Sequence, residues 1–459
     1  MTAARSGTGW ASRLTPLRLY LALAPLLYLT YAVVTPVFET PDEHQHLFRA
    51  WQLASGQLIG ERRGEGAGGE VPAGLVQAVE RELGSSAPHA QRPVPRSGLA
   101  ERLGRATSVM PESPVFANFL GSVAYSPAGY GPQMVAVWIG RAGGLTVEGI
   151  VRLGRLLNAL LTIALIAAAL RTLPTGRSLL LAIGLLPMTA ACAASFGQDG
   201  LIIGATACLV ALGVRAAMAG FWSPRSGLSA VALTVVATLA KFVYLPLAGL
   251  ALLTRSARGR PCLTWPPVVG GLVALLLVGL WFHLVGRLAV PMTPDKPEPG
   301  QQLAYIVAHP GTFLSASAHA FSPQSILTLV QQLFVFGWLN VGPVPGTMAP
   351  ALIALTLAAW LGDEGREKLV RLQRLWILCM IAVTCLGMAM ALYLAATPLG
   401  ADHVEGLQGR YFIPLLLPAG LAVMPRRAEA FAHLPAIVIS GMVWANAAAV
   451  SGLLRAWYV

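Results

Sequence analysis

Charge is what this sequence has least of. Only 11% of its 459 residues are Asp, Glu, Lys or Arg, against 55% that are hydrophobic. Soluble globular domains carry roughly 25% charged residues, so the usual polar surface is missing. Cysteine is scarce as well. The five are Cys192, Cys208, Cys262, Cys379 and Cys385; four lie inside apolar runs, one in a basic loop, and no CxxC spacing exists. That argues against a metal ribbon or a disulfide framework and for small buried hydrophobes. Also absent are a Walker loop, a Rossmann fingerprint, an HExxH pair and a GxSxG elbow. Their absence argues against an ATP-driven transporter, a dehydrogenase and a zinc protease. Alternating segments of about ten residues, the mark of a transmembrane β-barrel, do not appear either.

What is present is apolar sequence in many separate runs. Several reach or approach the roughly 20 residues that span a bilayer as helix, and the mean hydropathy is +0.64. The expected fold class is an all-α polytopic membrane protein. The net charge of +12 does not point to nucleic acid. Its Lys and Arg residues stand in short clusters between apolar runs, as cytoplasmic loop charges do when they fix topology.

Spans are expected at 17–37, 151–170, 178–195, 199–218, 227–240, 243–254, 266–286, 348–362, 374–396, 411–424 and 435–455. The first run, Leu17 to Val34, follows Arg5, Arg13 and Arg18 with no small-residue cleavage pattern after it. It reads as an uncleaved signal anchor with a cytoplasmic N-terminus. Eleven spans then put the C-terminus outside.

Segment 126–140 is apolar but opens with Pro127, Gly129, Gly131 and Pro132. If it does not span, cytoplasmic loops hold Arg171, Arg177, Arg215, Arg225, Arg255, Arg258, Arg260, Arg366, Lys368, Arg371, Arg374, Arg426 and Arg427. If it does, every later loop inverts and the positive-inside rule fails throughout. It is therefore expected as a helix on, or dipping into, the outer face. The pair 227–240 and 243–254 is short. Fourteen residues of helix reach only about 21 Å, which places Lys241, at their junction, below the outer surface. One transmembrane domain over 1–459 results, with large outer loops at 38–150 and 288–347. The stretch from Glu61 to Pro114, rich in Gly, Pro and Arg, suggests partly irregular structure.

Three polar clusters fall on the outer side. Glu39-Thr40-Pro41-Asp42-Glu43-His44-Gln45-His46-Leu47-Phe48-Arg49 follows the first span. Pro41 fixes a turn, and Asp42 can cap a helix that starts there. In that helix Asp42, His46 and Arg49 share a face. Such a carboxylate can serve as general base on a hydroxyl; alternatively Asp42 or Glu43 with His46 could hold a divalent cation, magnesium or manganese. Gln198-Asp199-Gly200 sits at an outer turn, where Asp199 is either an N-cap or a cavity residue. Asp402-His403-Val404-Glu405 leads to Gln408-Gly409-Arg410-Tyr411 at the mouth of the tenth span. The planar fork of Arg410 suits phosphate oxygens, and Lys241 is the other cation at that level. Arg152 and Arg155 are weaker candidates for the same role. Snorkelling to headgroups is the plain alternative for Lys241 and Arg410.

At these residues the chain resembles the GT-C superfamily of membrane glycosyltransferases. The likeness is closest to a bacterial branch of predicted membrane proteins of unknown function. It rests on PDExxH at Pro41 to His46, SPxxYxPQ at Ser126 to Gln133, LPM at Leu186–Met188 and SFxxDG at Ser195–Gly200. K–YLPL at Lys241 to Leu247 and QGRYFxPLL at Gln408 to Leu416 complete it. The matches run in order over most of the chain, and 61–112 departs from them.

The resemblance implies a GT-C-like bundle that takes sugar from a polyprenyl-phosphate donor. Transfer would go to a lipid or glycan acceptor of the cell envelope, on the periplasmic face of a bacterial inner membrane, usually with inversion. It implies Asp42 as base, with Glu43 as alternate, and Lys241 and Arg410 as donor-phosphate ligands. His46, Arg49, Asp199 and His403 are expected in supporting or metal-binding roles. The rival expectations are an O-antigen polymerase or ligase, and a lipid or glycan transporter without chemistry.

Overall fold

Prolines mark most of the helix starts. The computed structural model describes residues 15–83, 113–251, 253–255, 261–288, 290, 296–361, 369–425, 431 and 433–459. Helix α1, Pro16–Val34, begins on Thr15, whose hydroxyl accepts the Arg18 amide with Pro16 at the first position, where a missing N–H costs nothing. It is followed by α2 (Glu43–Ala54), strands β1 (Glu61–Arg63) and β2 (Gly66–Pro72), α3 (Ala73–Leu83), and β3 (Pro114–Asn118). Then come α4 (Gly131–Ala142), α5 (Val147–Thr172), α6 (Arg177–Gly184), α7 (Pro187–Ala193), α8 (Asp199–Ala219) and α9 (Pro224–Ala240). Strands β4 (Leu253–Arg255) and β5 (Pro261–Leu263) precede α10 (Trp265–Val285). The rest is α11 (Pro299–Ala308), α12 (Pro310–Ala320), α13 (Pro323–Gln332), α14 (Met348–Leu361), α15 (Arg371–Ala396), α16 (Ile413–Val423) and α17 (Leu434–Tyr458).

Among the described residues, α1, α5, α8, α10, α15 and α17 are long and apolar enough to cross a membrane. Helices α9, α14 and α16 are shorter and apolar. The polytopic helical class follows from these elements. On α10, Leu272 and Leu276 are 62% and 72% exposed. A helix apolar all round with that face uncovered needs lipid against it.

Several expectations are corrected. The run at 178–195 is not one helix. It breaks at Leu185-Leu186-Pro187 into α6 and α7, because Pro187 cannot donate within a helix. The run at 243–254 is no α-helix: Phe242–Ala251 winds as a 3-10 helix containing Pro246, and β4 pairs antiparallel with β5 beyond it. Purely α content is also too simple. Within segment 38–150 β2 pairs antiparallel with β1 and with β3, Gly68 opposite both Glu61 and Asn118. Part of the stretch read as irregular, 61–83, is thus a hairpin and a helix; 84–112 lies outside the described residues. Segment 288–347, expected as a large loop, contains the three helices α11 to α13, and residues 291–295 lie outside the description. So do the basic residues at 258, 260, 366, 368, 426 and 427.

Among the described residues four hydrophobic clusters form, and two of them are large. A large one joins α1 and α5 to α8 with α14, α16 and α17. A second lies on top of them and is built from α2, β2, α3, α4 and the start of α5, with Phe119 and Phe196 fully buried in it. Segment 126–140 belongs to this upper layer. It forms a 3-10 turn, Pro127–Gly129, then α4, which is about 18 Å long at 1.5 Å per residue, too short to span. It packs against α2 and α5.

Candidate functional site

Four separate stretches bring ionisable side chains to one cavity. Asp42 and His46 come from the start of α2, Asp199 from the first turn of α8, Lys241 from the end of α9, and Arg410 from the 3-10 turn before α16. The cavity holds about 880 Å³ of empty space, counting its open mouth. Lys241 Nζ lies 2.6 Å from Asp199 Oδ1, and Arg410 Nε lies 3.3 Å from Asp199 Oδ2. Both cations also face the Tyr411 ring, at 4.6 Å for the ammonium and 5.4 Å for the guanidinium carbon. With Asp42 and Asp199 negative and Lys241 and Arg410 positive, the formal charges balance. Each is 14–22% exposed in the Asp199 cluster, so all can reach a ligand in the cavity.

Asp42 is not the side-chain cap that its position before α2 suggests. Its backbone is left-handed, φ 61°, and its carboxylate makes no capping hydrogen bond. Asp tolerates that region better than most residues. The carboxylate, turned from the helix end, lines the cavity, and Gln45 Nε2 approaches it at 3.5 Å.

Glu43, one residue on, has the opposite fate. It is buried, and Arg155 grips it through Nε to Oε1 at 2.7 Å and Nη2 to Oε2 at 2.6 Å. The amides of Phe38 and Phe196 donate to the same carboxylate, at 2.8 and 3.1 Å. Burial works to raise its pKa, yet the Arg155 charge and these hydrogen bonds hold it below the usual value. Arg155 spends its remaining donors on the carbonyls of Ala32, Thr35 and Pro36. The pair therefore ties the end of α1, the start of α2 and the turn before Asp199 into one knot. Neither residue lines the cavity.

The segment Ser126 to Gln133 acts as a brace. Ser126 Oγ donates to the Leu239 carbonyl at 2.8 Å, two residues before Lys241. Gln133 Nε2 donates to the Gly197 carbonyl at 2.9 Å, two residues before Asp199. Tyr130 Oη lies 2.8 Å from His46 Nδ1, while the His46 ring stacks on Tyr125. A Cβ at Gly129 would lie 2.0 Å from Gln198 Oε1, so a larger residue there would have to displace that side chain. Asn158 adds three hydrogen bonds, to the carbonyls of Ala193, Ser195 and Gly197. Composition alone made this segment look like a turn; its contacts set three of the cavity's polar groups.

Other expected residues stand elsewhere. Arg49 is fully buried and donates to the carbonyls of Tyr125 and Leu58 and to the Gln52 amide oxygen, so it does not share the cavity face of Asp42 and His46. Arg152 pairs with Glu148 four residues before it. His403 is an exposed residue bonded to Asp402 at 2.9 Å, with Glu405 at 3.5 Å. Glu405 in turn holds Lys296 at 2.6 Å. Of the metal candidates Asp42, Glu43 and His46, Glu43 is held by Arg155 and His46 meets Tyr130, while Asp42 and His46 both line the cavity. Among the described residues no group of three His, Cys, Asp or Glu is arranged for a metal ion. Tyr125, Gln332 and Trp457 also line the cavity and were not singled out in the sequence, whereas Gln408 stood in the QGRYF motif. The Tyr-rich turn at 125–130 was the available signal for Tyr125.

The chain belongs to the family described as "Predicted membrane protein (DUF2142)", which matches residues 26–418. Nothing among curated proteins or solved structures matches it. The matched span includes Asp42, His46, Asp199, Lys241 and Arg410.

Proposed function

We propose that this chain is a GT-C-type glycosyltransferase that moves a sugar from a polyprenyl-phosphate donor to a lipid or glycan acceptor of the cell envelope. In this reading eleven crossings place the N-terminus in the cytoplasm of a bacterium. The C-terminus and both large loops, 38–150 and 288–347, lie outside the inner membrane. The observation that carries the reading is a pairing of opposites across one cavity. A carboxylate without a capping partner, Asp42, shares the space with the cations Lys241 and Arg410. The cavity lies where the upper layer meets the apolar bundle, which in this reading puts it at the level of the lipid phosphates.

The chemistry is an inverting displacement. Asp42 takes the proton from the acceptor hydroxyl as its oxygen bonds to the anomeric carbon. The bond from that carbon to the phosphate oxygen breaks, and its electrons leave with polyprenyl phosphate. Lys241 and Arg410 stabilise the charge that grows there. Asp199 holds the two cations in place between turnovers. No step requires a nucleotide or a metal.

The test uses the purified full chain in sealed proteoliposomes, a radiolabelled polyprenyl-phosphate hexose and an envelope extract as acceptor. Release of polyprenyl phosphate with transfer of label is expected, and Asp42→Asn should abolish both. Donor that stays intact while crossing the bilayer would overturn the transferase in favour of a transporter. Transfer of whole glycans from polyprenyl diphosphate alone would overturn it in favour of a polymerase.

A further inference from the structure

The cavity contains polar atoms that the protein itself leaves without partners. Among the described residues, Trp457 Nε1, Gln408 Oε1 and Thr40 Oγ1 are buried and have no hydrogen-bond partner, and all three residues line the cavity. The great majority of buried polar groups are paired, and a buried Trp N–H nearly always finds an acceptor. These three, beside the Gln198 amide atoms and an Arg410 Nε that are also without a hydrogen bond there, mark a place for a ligand with hydrogen-bonding groups of its own. Their kinds are complementary. The indole N–H can only donate, the amide oxygen can only accept, and the hydroxyl can do both. An ionised phosphodiester, which has no O–H and only accepts, cannot satisfy Gln408. A lipid chain satisfies none.

Ring faces complete the set. Trp457 is 0% exposed yet borders the cavity beside Phe336. Its place is fixed by the next residue, Tyr458, whose hydroxyl donates to the Val34 carbonyl at 2.8 Å. Gly337, with φ 61°, keeps the chain close to the indole. Aromatic walls with scattered single donors and acceptors suit a ring whose C–H face is apolar and whose rim carries hydroxyls.

We infer that Thr40, Gln408 and Trp457 form the subsite for the sugar ring of the donor, beside the phosphate ligands Lys241 and Arg410. The inference rests on the proposed transferase function and adds to it a division of the cavity. The phosphate is read at Lys241 and Arg410. The hexose hydroxyls are read by a residue just after α1, one just before α16 and one at the end of α17. These three residues then set which sugar is accepted.

Two probes of equal charge separate the parts: methyl prenyl phosphate and hexosyl prenyl phosphate, each with a short water-soluble tail. Binding to the full chain in nanodiscs is measured by calorimetry. The hexosyl probe should bind about tenfold tighter. Thr40→Val, which keeps shape, and Trp457→Phe, which keeps a ring, should each remove about fivefold of that advantage and leave methyl prenyl phosphate unchanged. Thermal unfolding checks both variants. If Trp457→Phe does not fold, Thr40→Val and Gln408→Met decide the matter. Equal binding of the two probes, or equal losses for both in the variants, overturns the sugar subsite and leaves the transferase reading standing. Binding of neither probe, with no response to Lys241→Ala, overturns the transferase reading itself.

Discussion

Glu43 and Arg155 meet 112 positions apart in sequence, through two hydrogen bonds of 2.6 and 2.7 Å, where neither side chain reaches solvent. An ion pair so enclosed depends on both members. Removing one strands the other charge without water, at a cost of about 3–5 kcal/mol. Arg155→Ala should therefore lower the thermal midpoint in detergent sharply and reduce recovery of monodisperse protein. Arg152→Ala, on the partly exposed i,i+4 pair with Glu148, should change stability by less than about 1 kcal/mol. Similar midpoints for the two variants would contradict the role given to the knot.

The adjacent carboxylate should behave in reverse. Asp42 sits at φ 61° with no cap to lose, and Asn accepts that backbone as readily as Asp. Asp42→Asn should keep the midpoint of the parent protein. Its transfer rate should fall by roughly 10²–10⁴, the share of a general base. Glu43→Gln should show the opposite balance, a lower midpoint first and activity lost only with the fold. Single-turnover rates at a temperature where both variants are folded distinguish the two.

The contrast between these neighbours was not legible in Pro41-Asp42-Glu43. Both carboxylates stand at the start of a helix, and the pattern favours a cap. Only Arg155, brought in by α5, decides that Glu43 turns inward and leaves Asp42 at the cavity. Hydropathy located the apolar runs but not the break at Pro187, because Leu185 and Leu186 keep the run apolar up to it. The hairpin at 61–72 looked irregular because glycine fills β2, and its pairing with β3 crosses more than forty residues. Asp199, Lys241 and Arg410 were legible as polar residues at the ends of apolar runs, where they are costly without a purpose. That Asp199 lies between the two cations was not, since it follows from the packing of α8, α9 and the turn before α16. Trp457 gave no signal, one tryptophan among eleven in the chain.

His46 supplies a pH test. Burial lowers its pKa below the ordinary 6.5; Asp42 and Asp199 oppose the shift, while Lys241 and Arg410 favour it. The folded protein thus holds a neutral imidazole where the unfolded chain would already be protonated. Below about pH 6.5 the unfolded state binds the extra proton, so stability falls as pH drops toward the folded value. Above that range the group contributes no slope. His46→Gln should flatten the dependence of the thermal midpoint between pH 6.5 and 5. Unfolding scans in matched buffers measure it, and parallel curves for parent and variant would rule His46 out as the source.

Lys241, Arg410 and Asp199 should not act independently on a phosphate. In the resting site Asp199 lies 2.6 Å from the ammonium of Lys241 and 3.3 Å from the guanidinium of Arg410. Lys241→Ala removes one attraction for the ligand and also leaves the carboxylate paired with Arg410 alone, facing the incoming anion. Both effects weaken binding, so prenyl phosphate affinity should fall by about 10- to 100-fold, on the order of 1.4–2.8 kcal/mol. Adding Asp199→Asn to that variant removes the repulsion and frees Arg410, and should restore part of the loss. The coupling between the two substitutions should exceed about 0.5 kcal/mol, the scatter expected of independent sites. Titration of the four proteins with prenyl phosphate at low salt gives the cycle. Additive losses would mean that the phosphate does not share the space held by Asp199, and that the two cations serve the carboxylate rather than a ligand.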